Sequence, residues 1–421
     1  MADTFTAPPR GAWTLPTPRL SRRAGFWAIA FSFWVVAAFS TAPSSLYGLY
    51  EQREHLSSLT ITFVYAVYAV GIVVSLLLVG HVSDWYGRRP VLLPAIVVAI
   101  VAAVLFLLWR SLAGLLVARV LTGVAVGAVV ATATAFVTDL DAGPSGVATR
   151  RAGIVGTIAN IGGLACGPLI AGLLARYAPH GLTLPFQVFL TALVLAGIAV
   201  VLAPEGHPAA HPRPRYRPQH LSVPAQARRQ FTAAIAGGFL CFAVFGLFAG
   251  LAGAFLAGPL DHPSTALCGL TIFLSFGTGV VVQITTTTWP AHRLITAGIV
   301  PSLIGLGLLV ASAWTSPPSL VLFLIGGIVS GAGGGAIFRG SLTLVIAASD
   351  ADDRAGPLAT FFIAGYAGLS LPVLGLGLLL QHLSPRVTLV IFAVAVGLGI
   401  LAAAPVLVRP LDADPTPRSS P

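Results

Sequence analysis

Charged residues are scarce in this chain, so each one set among apolar neighbours is a candidate for chemistry. The densest group is Gly80-His-Val-Ser-Asp84-Trp-Tyr-Gly87-Arg88-Arg89-Pro90. It brings a carboxylate close to two guanidinium groups where one apolar run stops and the next begins. Gly80 and Gly87 lack side chains and let helix ends approach another backbone. Asp84 can accept hydrogen bonds from a neighbouring helix N-terminus, which carries partial positive charge, and Arg88 and Arg89 can anchor that face. A plain basic turn explains the arginines but neither the aspartate nor the glycine spacing. The chemistry on offer is an electrostatic latch rather than bond making.

Two more stretches stand out. Arg119, in Val117-Ala-Arg119-Val-Leu-Thr-Gly123-Val-Ala-Val-Gly127, lies inside an apolar run, where an arginine costs ~2.5–3.5 kcal/mol on insertion scales and so faces a cavity or a partner. The plainer alternative is a side chain that snorkels to the interface. In Gly163-Leu-Ala-Cys-Gly167-Pro168-Leu-Ile-Ala171-Gly172, Gly163 and Gly167 form a small-residue face for close helix contact. Pro168 removes a backbone donor and permits a bend. Close packing alone would also account for this stretch.

The acids inform by where they are missing. All thirteen lie in tails, loops or the ends of apolar runs, so no catalytic residue is assigned. If a carboxylate carries protons, Asp139 and Asp141 are the first candidates and Asp84 the next. Asp350, Asp352 and Asp353 are expected to cap a helix N-terminus. Cys166, Cys241 and Cys268 each sit in an apolar run, which leaves neither a disulfide framework nor a thiol cluster for a metal. No cofactor or metal is expected.

The elements that must hold these residues are membrane spans. Of 421 residues, 56% are apolar and 9% charged, against about 25% charged in soluble domains. Mean hydropathy is +0.92. All 23 basic residues are arginine, but they are scattered between apolar runs instead of gathered on one soluble domain, which argues against nucleic acid. About 20 apolar residues cross a bilayer as a helix, and twelve such runs are legible: 25–50, 57–82, 90–109, 112–137, 152–175, 184–203, 231–257, 265–287, 294–313, 320–346, 356–380 and 387–408. The first is too long for a signal peptide, and Pro43 argues against cleavage after Ala42.

With the N-terminus cytoplasmic, seventeen arginines fall in inner segments and four in outer loops. Basic residues near span ends stay on the cytoplasmic side, so both termini are expected there. The expected organisation is an N-terminal tail 1–24, a six-helix bundle 25–203, a Pro- and Arg-rich linker 204–230, a second six-helix bundle 231–408 and a tail 409–421. A weak repeat supports the halving: Leu121–Ala128 aligns with Val329–Ala336 at an offset of 208, and Pro168 with Pro372 at 204. Duplicated bundles place a substrate site between the halves near the bilayer midplane.

The 80–90 loop, in this all-helical context, resembles the loop between helices 2 and 3 of the major facilitator superfamily. The R-x-x-x-G around Arg119 resembles that superfamily's second signature, and Gly163–Gly172 resembles the signature of its exporters, drug:proton antiporters in particular, with Ala171 departing from the first of the paired glycines. Pro204-Glu205 matches a pair that exporters often carry at this place. The corresponding loop after span 8, Thr287–Arg293, lacks the first signature.

What the resemblance implies is a twelve-helix fold in two pseudo-symmetric bundles, with Gly80, Asp84, Gly87, Arg88, Arg89, Gly163, Gly167, Pro168 and Gly172 serving conformational change and Arg119 tied to proton coupling. Helices 1, 4, 7 and 10 would line the cavity. That assignment nominates Phe31, Trp34, Tyr47 and Tyr50 on helix 1, and Phe239, Phe242, Phe245 and Phe248 on helix 7. Asn160 and Gln283 add sparse polar groups, and Arg339 would either meet an anion or snorkel. The expected activity is secondary active, proton-coupled efflux of a small, largely apolar organic compound by a plasma-membrane protein. Its expected partners are that compound, protons and the bilayer, with the chain a monomer. A facilitator or importer is the alternative, and a polytopic membrane enzyme a more distant one.

Overall fold

Twenty apolar residues in a row cannot leave their peptide groups unpaired in lipid, and a helix pairs them all internally. The computed structural model describes residues 20–142, 149–205, 216–224, 227–349 and 355–408. Among these it contains twelve helices long and apolar enough to cross a membrane: α1 Arg22–Thr41, α2 Ser58–Leu78, α3 Arg88–Leu108, α4 Leu112–Ala142, α5 Arg150–Tyr177, α6 Leu184–Leu202, α7 Arg228–Ala257, α8 Thr265–Thr285, α9 Ala291–Trp314, α10 Leu320–Ala348, α11 Ala355–Leu379 and α12 Pro385–Leu407. Serines stop the chain from fraying at several starts. The side chains of Ser21, Ser57, Ser264, Ser319 and Ser384 each accept a first-turn backbone N–H, a cap worth about 1 kcal/mol. The three aspartates expected to cap α11 lie outside the described residues.

Two boundaries differ from the sequence expectation for physical reasons. Span 1 was expected to run to residue 50, but α1 ends at Thr41, and a 3₁₀ turn Ala42–Ser45 containing Pro43 leads into a separate short helix Tyr47–Glu54. At the other extreme, α4 continues to Ala142 with 31 residues, about 46 Å of helix against a bilayer core of ~30 Å. Its last turn therefore projects past the apolar layer, where Asp139 and Asp141 can be helical without entering lipid.

Helix pairing repeats between the halves. In the first, α4 packs on α1, α2 and α3, α5 on α1, and α6 on α1 and α3; in the second, α10 packs on α7, α8 and α9, α11 on α7, and α12 on α7 and α9. The repeated glycines explain part of the likeness. A Cβ at Gly123 would strike the α2 backbone at Tyr68 and Gly71, and one at Gly335 would strike α8 at Gly279. α1 and α7 are the innermost helices, with 72% of their apolar windows buried, whereas α6 and α12 bury 33% and turn the rest outward. Between the halves, α5 packs on α8 and α2 on α11.

One face of the molecule, the terminal face, gathers the start of α1 and the ends of α2, α4 and α6, and the far face lies opposite. Residues 216–224 of the linker cross the terminal face as an extended strap. The Tyr216 hydroxyl donates to Leu78 O at 3.1 Å, and Gln219 N donates to Leu77 O at 2.7 Å, both on α2. Further along, Thr360 of α11 donates to Ser222 O at 3.3 Å. The Tyr216 ring stacks on His81 at 5.9 Å and meets Trp85 edge-on.

Candidate functional site

On the terminal face, the 80–90 loop folds as a short helix Val82–Tyr86 closed by Gly87, whose φ of 96° only glycine adopts without strain. α3 then starts at Arg88. The two arginines expected to anchor this face are buried there: Arg88 is 7% exposed and Arg89 4%. Arg88 Nε donates to Asp139 at 2.9 Å, and its Nη1 donates to Asp84 and to Ser83. Asp84 therefore serves its own i+4 arginine, whereas the helix N-terminus is held by Glu205, whose oxygens accept from Arg88 N at 2.9 Å and Arg89 N at 3.1 Å. That acid follows Pro204 at the end of α6. The dipeptide hides its role because its partner is more than a hundred residues away. Arg22 of α1 donates to Leu140 O and to Asp139 O at the end of α4. This network binds α1, α3, α4 and α6 into one body.

Asp139 and Asp141 are thereby occupied. Asp139 pairs with Arg88, and Asp141 accepts from Thr149 N at 2.7 Å and Thr149 Oγ1 at 2.6 Å, fixing the entry to α5. Neither borders the central cavity. Arg339 also turns to the terminal face, where it donates to Thr287 O at 3.2 Å beside Arg150, which donates to Thr287 Oγ1.

Helix α5 is interrupted near its middle. It begins as an α-helix, loosens into a π turn at Ile158–Gly162 and resumes at Gly163. A Cβ at Gly163 would lie 2.8 Å from Ala37 and from Trp34 O, and one at Gly167 would strike Ala38 O, so both glycines serve α1. A Cβ at Gly172 would strike Thr265 O, and Gly269 of α8 sits against Pro168 O. The motif is thus two-sided: its first half seals α5 to α1, and its second half seals the far face between the bundles. Thr265 Oγ1 donates to Gly172 O at 3.0 Å across that seam.

Pro168 carries no N–H, which leaves Leu164 O without its helical donor; Thr41 Oγ1 fills the vacancy at 2.9 Å. Thr41→Val should cost about 1 kcal/mol. Pro168→Ala restores the N–H, so the cost of Thr41→Val should shrink in that background. Thermal unfolding of the four proteins of this double-mutant cycle measures the coupling, and additive losses would contradict the assignment.

At mid-depth the halves meet around a cavity of about 30 Å³, walled by Thr41, Tyr65, Tyr68, Arg119, Ile161 and Leu164 on one side and Phe242, Phe245, Ala249, Phe276, Phe338, Tyr366 and Leu369 on the other. Such a volume admits one or two waters. The second-half wall is a ring cluster: Phe242 lies 5.2 Å from Phe338 and 5.6 Å from Tyr366, and Phe245 lies 4.6 Å from Phe276. Arg119 does not reach an interface. It is 1% exposed, donates to Ser40 O at 2.6 Å and Tyr65 O at 3.5 Å, and lies 4.6 Å from the Tyr68 ring centre.

Other nominated residues stand elsewhere. Phe31 is 41% exposed. Trp34 is half-buried against α5, and Tyr47 and Tyr50 are buried in the short helix beyond α1, because the chain has already left α1 at Thr41. Tyr47 does touch Tyr65 edge-on at 6.4 Å. Phe239 turns to an outer groove between α7 and α12, and Phe248 packs on Phe323. Asn160, in the π turn, and Gln283, buried in α8, each keep a polar atom without a partner, Oδ1 and Nε2, but neither is in the cavity wall. Their places are taken by Tyr65, Tyr68, Phe276, Phe338 and Tyr366. The legible signal for three of these was a tyrosine inside an apolar run.

Comparison with known proteins gives a consistent answer at the level of fold. The sequence model of the Major Facilitator Superfamily matches residues 25–315. A stretch of 140 residues is 31% identical to the class H tetracycline resistance protein of Pasteurella multocida, spanning 33% of this chain and 32% of that protein. The structure is similar to the human organic anion transporter MFSD10 (TETRAN), with a TM-score of 0.66 at 15% identity over 92% of this chain and 100% of that one. It is also similar to the nucleoside transporter NupG, with a TM-score of 0.67 at 12% identity over 90% and 99%.

Proposed function

The chain belongs to the Major Facilitator Superfamily, and from that membership we propose that it exports a small, largely apolar organic compound across the cell membrane by alternating access of its two six-helix halves, driven by the proton gradient. The carrying observation is the aromatic cavity at the junction of the halves, closed on the far face by the Gly172–Thr265 seam. Because the cavity holds about 30 Å³, cargo enters only when the halves part. The exporter-like sequence of α5 supports the outward direction, as does the resemblance to a tetracycline resistance protein over a third of the chain. The seventeen-to-four arginine asymmetry supports a cytoplasmic terminal face, and the protein is proposed to work as a monomer.

One observation favours a second reading, a facilitator or importer. Proton exchange needs a titrating group, an arginine does not lose its proton, and no aspartate or glutamate among the described residues lines the cavity. Inside-out vesicles separate the two. With a neutral aromatic antibiotic, a nucleoside and an organic anion as probes, accumulation of at least one is expected to grow with an imposed pH gradient and collapse with a protonophore. Equilibration indifferent to the gradient would favour the facilitator, and no movement of any probe would sink the transport reading.

A further inference from the structure

Arg119 differs from Arg88, another deeply buried arginine. Arg88 has two carboxylates, Asp84 and Asp139. Arg119, 1% exposed, has carbonyl oxygens, ring faces and the Tyr47 hydroxyl beside it, but no carboxylate among the described residues. Carbonyls and rings solvate a cation without cancelling its charge. In a low-dielectric surround, that uncancelled charge attracts an anion and repels a cation more strongly than it could in water.

The donor inventory points the same way. Arg119 Nε is buried with no acceptor, as is the hydroxyl of Tyr65, which shares the cavity wall with it. The guanidinium lies 5.8 Å from the Tyr65 ring centre. A buried donor without an acceptor is costly; two of them at one cavity call for an acceptor, and the uncancelled charge beside them favours one that is negative. Opposite stand Phe242, Phe245 and Tyr366, which offer ring faces and edges and no charge.

We propose that the cargo of this cavity is an organic monoanion, a carboxylate or comparable acceptor on an aromatic body, with its charge at Arg119 and the Tyr65 hydroxyl and its rings against Phe242 and Phe245. This rests on the reading of the cavity as the cargo site. Neutral aromatic compounds fill the same apolar wall but leave the donors unmet, and organic cations bring like charge to Arg119.

The test uses the purified full-length chain in lipid nanodiscs and three matched probe series with one to three fused aromatic rings: carboxylates, their primary amides and their aminomethyl cations. Binding is followed by ligand-dependent thermal shift and titration. The best carboxylate is expected to bind about tenfold or more tighter than its amide, and the cation weakest. Arg119→Gln should abolish the carboxylate's advantage while leaving the amide's affinity within a few-fold. Arg119→Lys, which keeps the charge, should restore part of the preference and guards against a folding defect in the glutamine variant. Equal binding of acid and amide, or a preference untouched in Arg119→Gln, overturns the anion assignment while the cavity remains the cargo site. Failure of every probe to bind, with Phe242→Ala also without effect on vesicle transport, overturns the cargo-site reading itself and the anion assignment with it.

Discussion

Replacing Gly172 with leucine should reduce transport to background while the protein still inserts in the membrane. A side chain there strikes Thr265 O and Ala266 on the facing helix, an overpacking cost of ~1–3 kcal/mol borne only while the far face is sealed. Penalties of that size shift a two-state balance by roughly 5- to 150-fold, enough to hold the halves apart on that face. The native Cys268, 3% exposed in α8 near the seam, reports the change. In a background of Cys166→Ser and Cys241→Ser, its labelling by a membrane-impermeant maleimide from the far side should accelerate several-fold in Gly172→Leu. Unchanged labelling together with unchanged transport would mean that the α5–α8 seam is not a gate.

Asp139→Ala should be the most damaging single change on the terminal face. It takes one of two carboxylates from Arg88, which is buried. Breaking a fully buried pair costs ~3–5 kcal/mol, and since Asp139 keeps 24% of its side chain exposed, solvent screening lowers the expected loss to about 2–3 kcal/mol. Asp84 is 58% exposed, so Asp84→Ala should cost about 1 kcal/mol or less. Thermal unfolding in detergent gives the order directly. If Asp84→Ala proved the more destabilising, the loop and not the end of α4 would hold Arg88.

Hydropathy made the twelve spans readable because lipid leaves the backbone no alternative to helix, and an isolated charge made Arg119 conspicuous. Side-chain direction was far less readable. The phenylalanines 239, 242, 245 and 248 recur every third residue, but at about 100° per residue that spacing drifts around α7. Phe239 ends at an outer groove, Phe242 and Phe245 in the cavity wall, and Phe248 against Phe323. Helix 1 misled for another reason: Pro43 lies within the 3₁₀ turn that follows α1, so Tyr47 and Tyr50 belong to a different element. Glu205 was hidden by distance along the chain. The two-sidedness of Gly163–Gly172 was hidden because a small residue does not say which neighbour it admits.

The strap from 216 to 224 bears on how the terminal face opens. Its ties to the first half are a 2.7 Å backbone hydrogen bond and a tyrosine hydroxyl bond to α2 and two ring contacts to His81 and Trp85, and it meets α11 where Thr360 donates to Ser222 O at 3.3 Å. On the proposed alternating-access cycle, parting of α2 from α11 would stretch the Thr360–Ser222 bond, because the strap is anchored to α2. A bond of that kind is worth about 1 kcal/mol, a several-fold bias in the resting populations. On that proposed cycle the 216–224 strap would act as a light return spring, setting how often the vestibule is offered to cargo without deciding which cargo is taken.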